Sequence, residues 1–204
     1  MGADRLNPGY NAVVIMVSLV VLSLCGWKRE IVGVRAGRAL FTVMCFIAVT
    51  CMISWKVNDQ MTLQLSEGLY GGFVGYSFYK SSTARAKLGI VIAGLSIMFL
   101  GVFMAYAHRW SPISFIHPTW DFLLGVAVIA SVLLPNPLFQ FAALWIGMTF
   151  SHIWEQNFLG ITPITLGDPA FQDRLWLAFL LTRGLSMLYS YIAYGLGWMA
   201  ARNK

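Results

Sequence analysis

Residues 88–107 read LGIVIAGLSIMFLGVFMAYA, twenty residues without one charge. A run of that length carries an α-helix through the roughly 30 Å hydrocarbon core of a bilayer. It predicts a membrane-spanning helix. Working outward, further apolar runs fall at 10–27, 39–55, 65–79, 120–134, 138–154 and 175–198. Composition points the same way: 58% of residues are hydrophobic and 11% charged, with a mean hydropathy of +0.70. Ordinary soluble domains are about 45–50% apolar and about 25% charged. The expected fold is therefore all-α, a polytopic transmembrane bundle of seven helices. It forms a single integral membrane domain over residues 1–204.

The runs differ in character. The first is followed, not preceded, by Lys28 and Arg29, and no small-residue cleavage site ends it. That is a retained helix rather than a signal peptide. The third, 65–79, is short; it starts near Glu67 and carries Gly68, Gly71, Gly72 and Gly75. Glycines three and four apart let helix backbones approach closely in lipid, so this helix is expected to be buried among others. Pro135-Asn136-Pro137 separates the fifth and sixth runs, and two prolines around one residue force a tight turn. Trp27, Trp55, Trp110, Trp120, Trp154, Trp176 and Trp198 fall near run ends, where interfacial tryptophans belong.

Charge sets the orientation. Lys28, Arg29, Arg35, Arg38, Lys80, Arg85, Lys87, Arg202 and Lys204 lie on one side of a seven-helix chain, nine basic residues against four on the other side: Arg5, Lys56, Arg109 and Arg174. The positive-inside rule then places the N-terminus outside and the C-terminus in the cytoplasm. The net charge of +6 is explained by these loops. No basic stripe interleaved with aromatics is present, so nucleic acid is not an expected partner. The lipid bilayer is, together with a membrane protein or a second copy of the chain.

Chemistry is sparse. Cys25, Cys45 and Cys51 sit inside apolar runs and match no disulfide or zinc spacing. There is no phosphate-binding loop, nucleophile elbow or kinase signature, and the last helix lacks the Schiff-base lysine of a retinal protein. No catalytic residue, metal or cofactor is assigned. Arg183 stands out, about 12 Å into the last helix at 1.5 Å per residue. A charge at that depth costs roughly 2.5–3.5 kcal/mol unless paired or hydrated. Arg183, Ser186, Ser190 and Tyr194 recur on one helical face, which should turn inward. Glu67, Asp121 and Glu155 are the candidate partners of Arg183. His108, His117 and His152 gather on the outer side, with His152 three residues from Glu155 and His117 four from Asp121. Imidazole with carboxylate at those spacings suits zinc or iron. The loop 156–174, with Pro163, Asp168, Pro169, Asp173 and Arg174, is either a cap over an outward pocket or a connector.

The basic loop after Trp27, the short glycine-rich third helix, the segment HPTWDFLLG from His117, and the polar loop before an arginine-bearing last helix resemble the YphA family of small multi-pass membrane proteins of spore-forming Bacillales. The resemblance implies a multi-pass inner-membrane protein with no established activity and no catalytic residues to carry over. Three functions are expected in order: a non-enzymatic scaffold or accessory protein of the cell envelope; a small transporter or anion- or lipid-binding protein built on Arg183, with Glu155, Asp121, Glu67 and His152 as further ligand contacts; and an outer-face metal-dependent intramembrane enzyme using His108, His117, His152 and Glu155.

Overall fold

The computed structural model describes residues 9–22, 53–58, 61–110 and 118–202, with the side chains of 20, 108–110, 118 and 195–202 excepted. These residues are mostly helical. Their elements run α1 (Tyr10–Leu22), β1 (Ser54–Asn58), β2 (Met61–Gln64), α2 (Leu65–Lys80), α3 (Ala84–Trp110), α4 (Pro118–Leu133), α5 (Pro137–Leu159), β3 (Ile164–Leu166) and α6 (Pro169–Arg202). Six of the seven expected runs thus contain a helix. The second, 39–55, lies outside the described residues except at its end. There Ser54 and Trp55 are in strand β1, a correction to the expected helix boundary. Cys25, Cys45 and Cys51 also lie outside.

Among the described residues two helices are long and apolar enough to cross a membrane, Ala84–Ala107 and Pro169–Tyr194. Tyr10–Leu19 and Thr119–Leu133 are apolar but shorter. Helix α5 has the length, yet it carries Gln140, Thr149, Ser151, His152 and Gln156, all buried. Its polar residues point into the protein, and this lowers its hydropathy without exposing them.

A small sheet closes one end of the bundle. Strands β1 and β2 form an antiparallel hairpin, and β3, from the connection between α5 and α6, pairs parallel with β2 through Met61–Ile164, Thr62–Thr165 and Leu63–Leu166. The loop 156–174 is accordingly shorter than its apolar flanks suggested. Gly160, at φ +66°, ends α5 in the left-handed conformation that glycine adopts freely. Asp168 then starts α6: its Oδ1 accepts from the Phe171 N–H at 2.6 Å, with Pro169 at the first helical position. At the opposite end, Asn136 caps α5 by accepting from Leu138 N–H at 2.9 Å, so Pro135-Asn136-Pro137 is the expected tight turn.

Among the described residues a side chain built on Gly68, Gly72 or Gly75 would meet nothing within 4 Å, and one on Gly71 would touch the Trp145 ring at 3.9 Å. The close approach lies between α3 and α5, the most extensive helix contact. A Cβ on Gly147 would stand 2.5 Å from Ile97 Cβ and 2.6 Å from the Gly94 carbonyl oxygen, and one on Gly101 would collide with Ser151. Ala143, Gly147 and Ser151 recur every four residues on α5 and make the flat face this contact needs. Helix α2 instead buries Ser66, Glu67, Tyr70, Val74 and Ser77 on one stripe. Tyr70 meets Phe141 and Trp176 edge-on, at ring-centroid distances of 5.6 and 6.2 Å. Trp176 is itself buried, at 3% exposure, and donates to the Tyr70 hydroxyl at 3.0 Å. It is a core residue rather than an interfacial anchor, because α6 begins six residues before the apolar run does. Trp120 and Trp154 are exposed near helix ends.

Candidate functional site

Three groups of buried polar residues organise the bundle. The first joins α2 to α6. Gln172, at 1% exposure, donates to Ser66 Oγ at 2.9 Å, Glu67 Oε1 at 3.2 Å and the Gly167 carbonyl at 3.3 Å. Its Oε1 accepts from the Tyr70 hydroxyl at 2.6 Å. Glu67 Oε2 accepts from Trp145 Nε1 at 2.8 Å. Nearby, the Asp173 carboxylate of α6 accepts from Gly9 N–H at 2.9 Å and Ala12 N–H at 2.6 Å, so one helix supplies the N-terminal cap of another, α1.

The second group holds Arg183. Its Nη1 donates to Gln140 Oε1 at 3.1 Å, while Gln140 Nε2 donates to the Leu134 carbonyl at 2.6 Å and Ser186 Oγ at 2.7 Å. A neutral amide is thus one contact of the arginine. Two of its expected partners are bonded elsewhere: Glu67 as above, and Glu155 to Arg174, Nη1 to Oε2, at 3.7 Å. The stripe along α6 turns inward only at its start. Arg183 is buried and Ser186 half-buried, but Ser190 and Tyr194 are exposed among the described residues. The turn at 134–136 ends α4 and begins α5, so neither flanks α6 further along.

The third group borders a cavity of about 510 Å³ between α3, α4, α5 and the start of α6. Met104, Phe122, Met148, Phe158, Leu159 and Phe171 give it apolar walls. Ser151, His152, Glu155 and Arg174 supply the polar side. His152 is 7% exposed and tilts against the Phe171 ring, with centroids 5.2 Å apart. Its Nε2 lies 3.2 Å from Asp168 Oδ2 and 2.7 Å from Gln156 Nε2. Gln156 binds strand β3 like a neighbouring strand: Oε1 accepts from Thr165 N–H at 2.9 Å and Nε2 donates to its carbonyl at 3.1 Å. Burial alone would raise the Asp168 pKa. Hydrogen bonds from His152 and the Phe171 amide, with the charges of His152 and Arg174, outweigh it and hold the carboxyl below its ordinary 3.8.

Two features of this cavity are energetically open. His152 Nδ1 is buried without a hydrogen-bond partner among the described residues. A buried polar atom left so costs about 1–3 kcal/mol. The Arg174–Glu155 pair is long and about a third exposed on each side. Pairs of that kind contribute about 0–1 kcal/mol, so the guanidinium exchanges or shares partners easily.

Of the expected site residues, His152 and Glu155 line the cavity together, whereas Arg183 and Glu67 belong to the other two polar groups and Asp121 is half-buried in the first turn of α4. His117 and the His108 side chain fall outside the description. Among the described residues no three His, Cys, Asp or Glu side chains come together as a metal site. Sequence reading passed over Arg174 and Ser151 as cavity residues and Gln156 as the clamp on β3. One signal was present: Asp168-Pro169, a capping residue followed by proline, marks a helix start and would have brought Arg174 onto α6.

The fold and site together define a mostly helical bundle with a mixed polar and apolar cavity at its sheet-bearing end. Compared with protein-family models, curated proteins and solved structures, the chain matches none.

Proposed function

We propose that the chain is a multi-pass protein of the bacterial cytoplasmic membrane, seven spans with the N-terminus outside, that serves the envelope as a non-enzymatic accessory protein by holding a small molecule at its outer end. The observation that carries the binding role is the cavity of about 510 Å³ bordered by His152, Glu155 and Arg174 on one side and aromatic and methionine side chains on the other. Ligand pockets of about 300–1,000 Å³ with apolar walls and a few convergent polar groups are the usual form of a small-molecule site.

The membrane placement draws on surface character. The two long apolar helices are only 28% and 33% buried over their apolar windows, unlike the core helices of a soluble protein. Leu88, Val91, Leu95, Phe99 and Phe103 form an exposed row along α3. Water would penalise so much apolar surface, whereas lipid accepts it. The sheet, His152, Glu155, Asp168 and Arg174 share the end assigned to the outside by the basic-residue asymmetry, and exposed Lys80, Arg85 and Lys87 flank the turn between α2 and α3. Membership of a YphA-like family is part of the same reading, resting on the sequence features alone.

Native mass spectrometry of the gently purified protein tests the binding role. The wild type should carry a bound small molecule or lipid that is lost in Ala105→Trp and in Leu159→Trp, two substitutions on the cavity wall. A bare wild type, or identical retention in both variants, overturns the reading.

A further inference from the structure

The cavity carries opposite charges side by side. Glu155 reaches it from α5 and Arg174 from the second turn of α6, and both side chains line it. They meet at 3.7 Å, Nη1 to Oε2, with the Arg174 side chain 31% and the Glu155 side chain 41% exposed. A pair so long and so open contributes little and is easily parted. Each member has capacity to spare: a guanidinium offers five N–H donors in a planar fork, and a carboxylate about four acceptor sites. The neighbouring acids of α6 are engaged elsewhere. Asp168 accepts from the Phe171 N–H and meets His152, and Asp173 caps α1.

Charge balance restricts what can use that capacity. A guest with a lone negative charge that draws Arg174 away leaves Glu155 unpaired beside apolar walls, and a lone positive charge on Glu155 does the same to Arg174. Removing one partner of a pair is disfavoured wherever water is scarce. An uncharged guest leaves the pair as it is and gains nothing from it. A guest that carries both charges replaces one long contact with two charge-assisted hydrogen bonds, one at each residue. Met104, Phe122, Met148 and Phe158 border the remaining space and offer dispersion contact to a hydrocarbon.

Resting on the ligand-binding reading above, we propose that the cavity takes a zwitterion with a hydrocarbon part: its oxyanion accepts from Arg174, its ammonium donates to Glu155, and its hydrocarbon lies on the methionine and phenylalanine wall. The headgroup of an aminophospholipid and a free apolar amino acid share that chemistry.

The test is equilibrium binding of radiolabelled probes to the full chain in a neutral detergent. Two are zwitterions, lysophosphatidylethanolamine and leucine; the others are anionic lysophosphatidylglycerol, cationic hexadecylamine and uncharged monopalmitoylglycerol. A zwitterion should bind about tenfold or more tightly than each of the other three. Tighter binding of lysophosphatidylethanolamine assigns a lipid headgroup, and tighter binding of leucine assigns a free amino acid. The charge variants should invert the preference rather than merely weaken it. Glu155→Gln should favour lysophosphatidylglycerol over the zwitterions, and Arg174→Gln should favour hexadecylamine. A loss of fold would weaken every probe alike and could not produce those two opposite changes. Unaltered probe preference in both variants overturns the roles of Glu155 and Arg174. Equal binding of monopalmitoylglycerol and the zwitterions, abolished together by Ala105→Trp, overturns the zwitterion and leaves the cavity reading standing. Failure of all five probes to bind overturns the proposed guest chemistry, and binding that neither Ala105→Trp nor Leu159→Trp alters overturns the cavity reading itself.

Discussion

Helix α5 carries a buried polar cluster towards each end, and the two are built differently. Near its start, Gln140 spends both ends of its amide: the oxygen accepts from Arg183, and the nitrogen serves the Leu134 carbonyl and Ser186. Near its finish, Gln156 fixes strand β3 and presses on His152, whose far nitrogen has no partner among the described residues and whose side chain borders open space. One cluster links a charge placed deep in the bundle to Gln140 and, through it, to the Leu134 carbonyl and Ser186. The other lines a cavity with His152, Glu155 and Arg174. A buried charge is therefore poor evidence for a site by itself; what distinguishes the second cluster is the cavity it borders.

The comparison can be broken most directly at Gln140. Gln140→Ala leaves Arg183, the Leu134 carbonyl and Ser186 each short of a hydrogen bond, and should cost on the order of 3 kcal/mol of stability. Detergent unfolding measures it. Retention of a bound small molecule in native mass spectrometry should stay at the wild-type level, and a variant that melts normally but retains nothing would reverse the roles assigned to the two ends. A smaller effect is expected at Asp173, whose carboxylate caps α1 from α6. Asp173→Ala should lose about 1 kcal/mol, the usual worth of an N-terminal cap. Amide exchange would speed up at Gly9 and Ala12 first; unchanged exchange there would show that the outer end does not depend on this tie.

The smallest effect is a pH dependence at Asp168. Its folded pKa lies below the ordinary 3.8. The stability it contributes is therefore present above the unfolded value and is lost as pH falls through the folded one. Between about pH 5 and pH 3 the wild type should lose more thermal stability than Asp168→Asn, in which this ionisation is gone. Parallel melting profiles for the two proteins would mean that the pairing with His152 adds nothing to the outer end.

Much of the architecture is legible in the chain. The uncharged run 88–107 became part of α3, and the Pro135-Asn136-Pro137 turn fell where two prolines require it. Helix ends were harder. Apolar runs locate the stretch of helix that lacks charges, whereas caps decide where hydrogen bonding stops. Gly160 and Asp168-Pro169 therefore extended α5 and α6 beyond their apolar segments. The three-stranded sheet left no periodic signal, since β1, β2 and β3 are five, four and three residues long. Among candidate residues, Arg183 attracted attention because a lone charge in an apolar run is conspicuous, while Arg174 was hidden among polar neighbours.

Helical class, the tight turn and the gathering of His152, Glu155 and Arg174 towards one end were determined by the sequence alone, because hydropathy, proline geometry and chain order are local properties. The tertiary structure decided which glycines let helices touch, that Gln140 meets Arg183, and that His152 borders a cavity with Glu155 and Arg174. Each of those depends on groups far apart in the chain meeting at distances of a few ångströms, and spacing along one strand of sequence does not record such meetings.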